Sequence, residues 1–300
     1  CAIGTRPVDL HLYALKKFGA NIKIKNGYIY ATALKGLIGT KIKFPIISVG
    51  ATENAILAAF GAKGKTELSN CAIEPEIIDL INFLNKLGGA IKIKKRKIYI
   101  KNVSKTNKIS YKVMFDRIEL GTYIIAAAII GKKITFTKIN PYIIKTELKI
   151  LKSIGVKLII KKNKIIVYRS KNIKNIKITT KPYPGFPTDL QAQIMVMMTQ
   201  AKGISTIKEN IFENRFMHVP ELKRMGAKIK IENNKAIIEG PSKLSGAEVM
   251  ATDLRASVSL VIAGLIAENE TIINRIYHLD RGYNNLEKKL QNCFASIKRI

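Results

Sequence analysis

The sequence predicts an α/β protein of two similar domains, each built from repeated helix–strand–helix–strand–strand units. Three observations support this prediction. Short amphipathic segments that end in Leu-x-x-x-Gly recur, and their glycines, Gly19, Gly88, Gly155 and Gly226, are 69, 67 and 71 residues apart. After each glycine, lysine and isoleucine alternate with the period of a half-buried strand. Upstream of the later copies lies a nearly all-apolar stretch, which is typical of a buried helix.

The elements follow the same order in each repeat. The apolar helix comes first, and its copies are residues 51–61, 117–131, 191–203 and 254–267. A short strand and a turn follow, and the amphipathic helix then ends at a glycine suited to the left-handed C-cap position. In a degenerate last copy Phe294 replaces this glycine, so we expect that helix to end in another way. The length of the repeat excludes a helical solenoid, and its two helices exclude a propeller.

The 300 residues are enough for two domains. We expect residues 1–114 to form an incomplete first domain and residues 115–300 a second domain. Because the chain opens on Cys1 and not on Met, we expect it to be a fragment of a longer protein. No apolar run reaches the about 20 residues that a membrane span needs. The three cysteines are too scattered for a disulfide framework or a zinc site, and we expect a cytoplasmic location.

The net charge of +31 has two interpretations. A strongly basic chain is typical of nucleic-acid binding. Alternatively, the lysines reflect A/T-rich codons, because they accompany isoleucine and asparagine throughout the sequence. Lysine alternates with isoleucine in many strands instead of forming one basic patch, aromatic residues make up only 7% of the chain, and tryptophan is absent. These features favour codon bias and predict no nucleic-acid partner.

Arginines and aspartates in predicted turns are the candidate functional residues. The helix starts carry Ser48, Asp116, Asp189 and Asp253, which are ordinary N-cap residues. Several helix amino termini directed to one place would also attract anions. In a chain whose usual cation is lysine, arginines kept in turns indicate bidentate binding of carboxylate or phosphate. No P-loop or dinucleotide-binding glycine fingerprint is present in the sequence, and we expect no cofactor and no metal.

Five sequence strings are long and specific. They are CAIGTRPVDLH at residues 1–11, FPTDLQAQ at 186–193, ENRFMHVPEL at 213–222, ATDLRAS at 251–257 and IYHLDRGY at 276–283. These strings resemble the UDP-N-acetylglucosamine 1-carboxyvinyltransferase family of enolpyruvyl transferases. The resemblance implies the inside-out α/β barrel of that family. It also implies transfer of enolpyruvate from phosphoenolpyruvate to the 3′-hydroxyl of UDP-N-acetylglucosamine with release of phosphate. That reaction is the first committed step of peptidoglycan synthesis, on which cell shape and cell division depend.

The resemblance also assigns roles to single residues. Cys1 is implied as the general acid and as the residue alkylated by fosfomycin, Asp189 as the base near the sugar hydroxyl, and Arg281 as a further catalytic residue. The implied binding residues are Arg6, Arg215, Arg255 and Arg281 for phosphoenolpyruvate, with Asp253 orienting these arginines; Arg6, Pro7, Val8, Asp9 and Leu10 for uracil; Ser48, Val49 and Gly50 for the diphosphate, with Ile46 and Ile47 as further substrate-binding residues; and Thr188, Asp189 and Ile211 for the sugar.

The chain departs from the family at two positions. Ile46 and Ile73 stand where the family often has lysine and arginine, so nucleotide affinity is expected to be weaker or to depend on other lysines. We expect this fragment by itself to be inactive, and the protein to be a monomer or a weak homo-oligomer. The open alternatives are the sister enzyme acting on shikimate 3-phosphate, a basic nucleic-acid-binding protein and an inactive paralogue.

Overall fold

The computed structural model describes residues 7–101, 103 and 106–300. These residues form two units. The amino-terminal unit is the described part of Thr5–Met114 together with Pro182–Pro184, and the carboxy-terminal unit contains Phe115–Lys181 and Gly185–Ile300. The chain therefore passes from one unit to the other between Met114 and Phe115. The sequence did not indicate that Pro182–Pro184 returns to the amino-terminal unit.

The amino-terminal unit contains three helices and six strands. They are α1 (Asp9–Lys17), β1 (Asn21–Lys25), β2 (Tyr28–Thr32), β3 (Lys41–Lys43), α2 (Val49–Gly61), β4 (Lys65–Ser69), α3 (Pro75–Lys86), β5 (Ala90–Lys94) and β6 (Lys97–Lys101). Strands β1 and β2 form a hairpin, and the other four strands form a sheet in the order β3-β4-β6-β5. Only the β3–β4 pair in this sheet is parallel. Apolar side chains of α1, α2 and α3 pack on one face of the sheet and form the core of the unit.

The carboxy-terminal unit repeats this plan. Its elements are α4 (Arg117–Ile129), β7 (Lys133–Thr137), α5 (Lys145–Ser153), β8 (Leu158–Lys161), β9 (Lys164–Tyr168), β10 (Lys177–Thr179), α6 (Gln191–Met198), β11 (Gly203–Lys208), α7 (Val219–Arg224), β12 (Lys228–Glu232), β13 (Lys235–Gly240), β14 (Glu248–Met250), α8 (Leu254–Ile266), β15 (Ile272–Asn274), α9 (Tyr277–Asp280) and α10 (Leu286–Gln291). Its sheets have the orders β7-β9-β8, β10-β11-β13-β12 and β14-β15. The second of these sheets matches β3-β4-β6-β5 in both order and strand direction.

Helices occupy the centre of the carboxy-terminal unit. Every residue of α6 is buried, and α6 packs against α4 and α8, which are themselves mostly buried. Amphipathic α5 has only one buried face. In β12, Ile229 is buried while Lys228 and Lys230 are exposed, as the alternating pattern predicted, but Ile231 is 38% exposed. The predicted α/β fold, with apolar helices inside and lysine-rich sheets outside, is confirmed. Helix α2 is the exception, because its residues Val49 and Leu57 are exposed.

The helix ends correct one expectation. Gly19, Gly88, Gly155 and Gly226 all have positive φ angles, between 92° and 119°, as C-cap glycines should. Phe294 has φ of 65°, so the last helix ends in the same conformation without a glycine. The backbone hydrogen bond from Ala295 N–H to the Leu290 carbonyl is 3.0 Å long. The expectation that this helix ends in another way was therefore wrong, because the backbone bonds impose the turn even on a phenylalanine.

We predict that Phe294→Gly stabilises the protein. A non-glycine residue in the left-handed region costs about 1 kcal/mol, and Phe294 is 99% exposed, so little packing is lost with its ring. The matched reverse change is Gly19→Ala, since a Cβ at Gly19 would meet no atom within 4 Å and its cost would be purely conformational. Urea unfolding should show opposite shifts of similar size. A loss of stability in Phe294→Gly would contradict the argument.

Among the described residues, no helix combines the length and the apolar character that crossing a membrane requires.

Candidate active site

Three of the four candidate N-cap residues do cap helices. Ser48 Oγ accepts the Ala51 N–H at 3.3 Å, Asp116 caps α4, and Asp253 Oδ1 accepts the N–H of Arg255 at 2.8 Å at the start of α8. Asp189 behaves differently. It lies in the 3₁₀ turn Thr188–Leu190 directly before α6, and its side chain caps nothing there. Its carboxylate is therefore available for other partners.

Two arginines from distant segments bind this carboxylate. Nη2 of Arg215, in the loop between β11 and α7, lies 2.5 Å from Oδ1 of Asp189. Nη2 of Arg255, in the first turn of α8, lies 3.1 Å from Oδ2. The side chains of Arg215 and Arg255 are 6% and 12% exposed, whereas that of Asp189 is 38% exposed. We call these three residues the Asp189 cluster. In this cluster, two largely buried guanidiniums bind one partly exposed carboxylate.

The charges of the cluster set the pKa of Asp189. Burial by itself raises this pKa, but the attraction of Arg255 and Arg215 outweighs burial and leaves the pKa of Asp189 below its ordinary value. Asp189 is thus ionised at neutral pH. Because the folded-state pKa is the lower one, the ion pairs stabilise the fold above the ordinary pKa of 3.8, and this contribution is lost as the pH falls through the folded-state value.

Glu209 fixes the loop that carries Arg215. This buried carboxylate follows β11 and accepts four hydrogen bonds. The donors are Thr180 Oγ1 at 2.8 Å, Thr188 Oγ1 at 2.8 Å, the Ile211 N–H at 2.7 Å and the Phe212 N–H at 3.2 Å. Glu209 therefore ties the Thr188–Leu190 turn, which holds Asp189, to the loop, which holds Arg215. The ring of Phe212 lies 5.3 Å from Cζ of Arg215 and supports the guanidinium.

His218 is buried just behind the Arg215 loop. Burial lowers its pKa to about 4; nearby Asp253 opposes this shift and Arg215 adds to it. Nε2 of His218 has no hydrogen-bond partner among the described residues. The imidazole is therefore neutral at physiological pH and acts as a packing group of the site.

We predict that His218 makes stability pH-dependent. Above its ordinary pKa of 6.5 the imidazole is neutral in both the folded and the unfolded protein. Between that value and about 4, only the unfolded chain takes up the proton, so the free energy of unfolding falls by about 2–3 kcal/mol as the medium becomes acidic. Urea titrations at about pH 7 and about pH 4.5 should show a larger acid loss in wild type than in His218→Gln. Equal losses would refute this assignment.

The other predicted residues of the carboxy-terminal unit lie around the cluster or at the surface. Thr188 and Ile211 are joined through Glu209, and Ile211 is 39% exposed. Asp253 orients Arg255 through the backbone of α8 and not through a side-chain ion pair. Arg281 is exposed and directly follows α9.

In the amino-terminal unit the two predicted nucleotide segments meet. Pro7, Val8 and Asp9 are exposed at the start of α1, whereas the side chain of Leu10 belongs to the core. The second segment, residues 46–50, leads into α2, with Ser48 as its N-cap and Ile46 64% exposed. Gly50 packs against α1, because a Cβ at this position would lie 3.4 Å from the His11 ring. Cys1 and Arg6 lie outside the described residues.

Sequence reasoning missed four polar residues that support the site. They are Thr122, Gln193, Glu209 and Tyr283, all buried. Gln193 and Tyr283 lie within the strings that carry the family resemblance, but neither was given a role. Glu209 and Thr122 show no signal in the sequence, since a polar residue at a strand end or in a helix is usually exposed. In the described part of the chain, no group of three or more His, Cys, Asp or Glu residues is placed to hold a metal ion.

Comparisons with known proteins identify the family of the chain. The sequence profile of the family described as EPSP synthase (3-phosphoshikimate 1-carboxyvinyltransferase) matches residues 1–290. The chain belongs to this family of enolpyruvyl transferases. Among curated relatives, the UDP-N-acetylglucosamine 1-carboxyvinyltransferase of Pelagibacter ubique (strain HTCC1062) is 61% identical over 301 residues. The enzyme of the same name from Rickettsia akari (strain Hartford) is 53% identical over 302 residues. Each match covers all of this chain and 72% of the relative.

Solved structures share the fold at lower identity. The enolpyruvyl transferase NikO from Streptomyces tendae superposes with a TM-score of 0.88 at 23% identity, over 98% of this chain and 72% of that one. An EPSP synthase from Acinetobacter baumannii superposes with a TM-score of 0.74 at 18% identity and the same coverage. These two structures establish the architecture.

Proposed function

We propose that this protein transfers enolpyruvate from phosphoenolpyruvate to the 3′-hydroxyl of UDP-N-acetylglucosamine and releases phosphate. The observation that carries the proposal is the Asp189 cluster, in which one carboxylate forms ion pairs with two largely buried guanidiniums. Such a pair suits a small anion with carboxylate and phosphate groups. The printed names of relatives at 61% and 53% identity supply the substrate. The reaction takes place in the cytoplasm and starts peptidoglycan synthesis, and therefore supports cell shape and division. It uses no cofactor.

In the proposed mechanism the chain's residues move two protons in the addition step and one in the elimination step. A proton is added to the methylene carbon of phosphoenolpyruvate, while the sugar hydroxyl loses its proton and its oxygen bonds to the neighbouring carbon. The adduct then loses phosphate and a proton from the new methyl group, which returns to the thiolate left on Cys1 by the first step, and the double bond is restored. Asp189 takes the hydroxyl proton. Arg215 and Arg255, with Arg6 and Arg281, hold the anion and stabilise the negative charge.

Asp189 accepts a proton well only after Arg215 and Arg255 bind another anion. While it binds Arg215 and Arg255, its lowered pKa makes it a weak base. An anionic substrate competes for both guanidiniums and weakens their hold on the carboxylate. Binding of phosphoenolpyruvate therefore prepares the base.

Cys1 supplies the first proton in this proposal. Among the other two cysteines, Cys71 is buried, and burial raises the pKa of its thiol to about 12, so it is almost never a thiolate at neutral pH. Cys293 is exposed. Mass spectrometry after fosfomycin treatment of the natural full-length protein should find the adduct on Cys1. An adduct on Cys71 or Cys293 instead would refute the assignment.

The nucleotide binds to the amino-terminal unit in this proposal. Residues 7–10 hold the uracil, with Leu10 contributing backbone atoms because its side chain is in the core. The amino terminus of α2, at Ser48, Val49 and Gly50, holds the diphosphate. Thr188 and Ile211 line the sugar site. The two units correspond to the two domains of the family, and the protein acts as a monomer or weak homo-oligomer.

The decisive experiment measures phosphate release by the natural full-length protein. Phosphoenolpyruvate with UDP-N-acetylglucosamine should support turnover, and phosphoenolpyruvate with shikimate 3-phosphate should not. The reverse result would establish the activity on shikimate 3-phosphate, which is the activity in the description of the matching family.

Arg281→Lys should lower kcat/KM for phosphoenolpyruvate by about tenfold or more, because lysine lacks the planar fork of the guanidinium. Exposed Lys94→Gln should change it by less than about twofold. Equal losses would indicate that the general basic field guides the substrate.

A further inference from the structure

A buried tyrosine binds the terminal nitrogen of Arg255 that does not bind Asp189. Tyr283, just after α9, is 1% exposed, and its Oη accepts a hydrogen bond from Nη1 of Arg255 at 3.1 Å. Cζ of Arg255 lies 5.7 Å from the centroid of the tyrosine ring. Since Nη2 of Arg255 binds Asp189, the guanidinium is held at both of its terminal nitrogens.

The direction of each hydrogen bond follows from counting protons. Thr122 Oγ1 donates to the carbonyl of Ile118 at 2.8 Å, so its only proton is used. Tyr283 must therefore donate to Thr122 Oγ1, 2.9 Å away, and its lone pairs face the donors Arg255 and Gln193. Burial raises the pKa of Tyr283, although Arg255 opposes the shift, so the phenol keeps the proton that this chain of bonds requires. The hydrogen bonds run from Arg255 through Tyr283 and Thr122 to the backbone of α4.

Three central helices contribute to this chain of bonds. Thr122 belongs to α4, Gln193 to α6 and Arg255 to α8, and Nε2 of Gln193 also donates to Thr122 Oγ1 at 2.9 Å. Thr122 and Gln193 are fully or almost fully buried. Because these helices pack against one another, the position of the tyrosine hydroxyl is set by the core of the unit. The core thereby fixes the side chain of Arg255.

We propose that Tyr283 is a positioning residue for Arg255, and that it keeps the guanidinium in place when an anionic substrate displaces it from Asp189. The inference rests on the proposed function and deepens it. When the substrate takes Nη2, the bond from Nη1 to Tyr283 remains, so Arg255 does not have to be reoriented at the moment of binding. Preorganisation of this kind lowers the free-energy cost of binding and of charge stabilisation in the transition state.

Tyr283→Phe isolates this bond. The ring and its packing remain, and Thr122 Oγ1 keeps both its bond to Ile118 and its bond from Gln193. The variant also removes the 2.9 Å bond to Thr122 and the 3.4 Å contact with Gln193, but the charged group that loses a partner is Nη1 of Arg255. The variant should therefore fold as wild type does.

The test is steady-state kinetics of Tyr283→Phe in the natural full-length protein. We expect kcat/KM for phosphoenolpyruvate to fall about tenfold, which corresponds to the loss of one hydrogen bond to a charged group. KM for UDP-N-acetylglucosamine should change by less than about twofold, a split that a general structural defect would not produce. Thr122→Ser, which keeps the acceptor hydroxyl, should preserve wild-type kinetics, whereas Thr122→Val should lower kcat/KM for phosphoenolpyruvate. The matched control is Tyr123→Phe, which removes a tyrosine hydroxyl from α4 next to Thr122.

Two results would overturn the proposal. One is unchanged phosphoenolpyruvate kinetics in Tyr283→Phe while wild type is active. The other is an equal loss for both substrates. If wild type shows no transferase activity, the proposed function fails, but calorimetric titration with inorganic phosphate still tests the positioning role. Tyr283→Phe should then bind phosphate about tenfold more weakly than wild type and Tyr123→Phe. Equal phosphate affinities would reject the role of Tyr283 independently of the reaction.

Discussion

Asp189→Asn should lower kcat by about two to three orders of magnitude, because an amide cannot accept the proton of the sugar hydroxyl. The same substitution should tighten the binding of inorganic phosphate by about tenfold, since it removes the carboxylate that occupies Arg215 and Arg255. Opposite changes in turnover and anion affinity are expected only if Asp189 is both a base and an internal competitor. The measurements are steady-state kinetics and calorimetric titration with phosphate on the natural full-length protein.

The matched control for this variant is Glu268→Gln. Glu268 also forms an ion pair, with Lys243 at 2.9 Å, but both side chains are largely exposed. Exposed pairs contribute little, so neither kcat nor phosphate affinity should change by more than about twofold. If Asp189→Asn binds phosphate no more tightly than wild type, the carboxylate does not compete for the guanidiniums. If its kcat is preserved, another group is the base.

Glu209→Ala should destabilise the protein by about 3 kcal/mol or more. The substitution leaves two hydroxyls and two backbone N–H groups without their acceptor in a buried site, and each buried donor left unpaired costs about 1–3 kcal/mol. Because the same carboxylate joins the Asp189 turn to the Arg215 loop, phosphate affinity should also fall. Urea unfolding gives the first quantity, and titration with phosphate under folding conditions gives the second.

Glu239→Ala is the control for this stability change. Glu239 is exposed on β13, where it binds Lys228 at 3.1 Å, and its loss should cost less than about 0.5 kcal/mol. Similar losses of stability in the two variants would show that Glu209 does not anchor the loop. A large loss of stability with unchanged phosphate affinity would separate its structural role from the site.

Periodic features of the sequence predicted much of the fold. The glycine spacing, the apolar stretches and the lysine–isoleucine alternation predicted the order of helices and strands, because each depends on residues close together in the chain. The same reasoning was wrong at Phe294. There, the backbone hydrogen bonds from Phe294 to Gln291 and from Ala295 to Leu290 hold a conformation that side-chain preference alone would reject.

The sequence also identified candidate residues of the site without their partners. Asp189, Arg215 and Arg255 each lie in a string that resembles the family, and arginine in a lysine-rich chain was a chemical signal in its own right. Their contacts were not predictable, because Asp189 and Arg255 are 66 residues apart in the chain. An N-cap role was equally plausible for Asp189, and only the structure shows that its carboxylate binds two guanidiniums instead.

The sequence by itself determined the repeated α/β plan, the buried helices and the residue types suited to an anion. These depend on local periodicity and on the conformational freedom of glycine. The tertiary structure decided which polar groups meet: Thr122 and Tyr283, 161 residues apart, share a hydrogen bond. It also decided that Glu209 joins two loops of the site. The physical reason is that a buried polar group is stabilised by whatever partner packing brings to it, and packing joins segments that have no pattern in common.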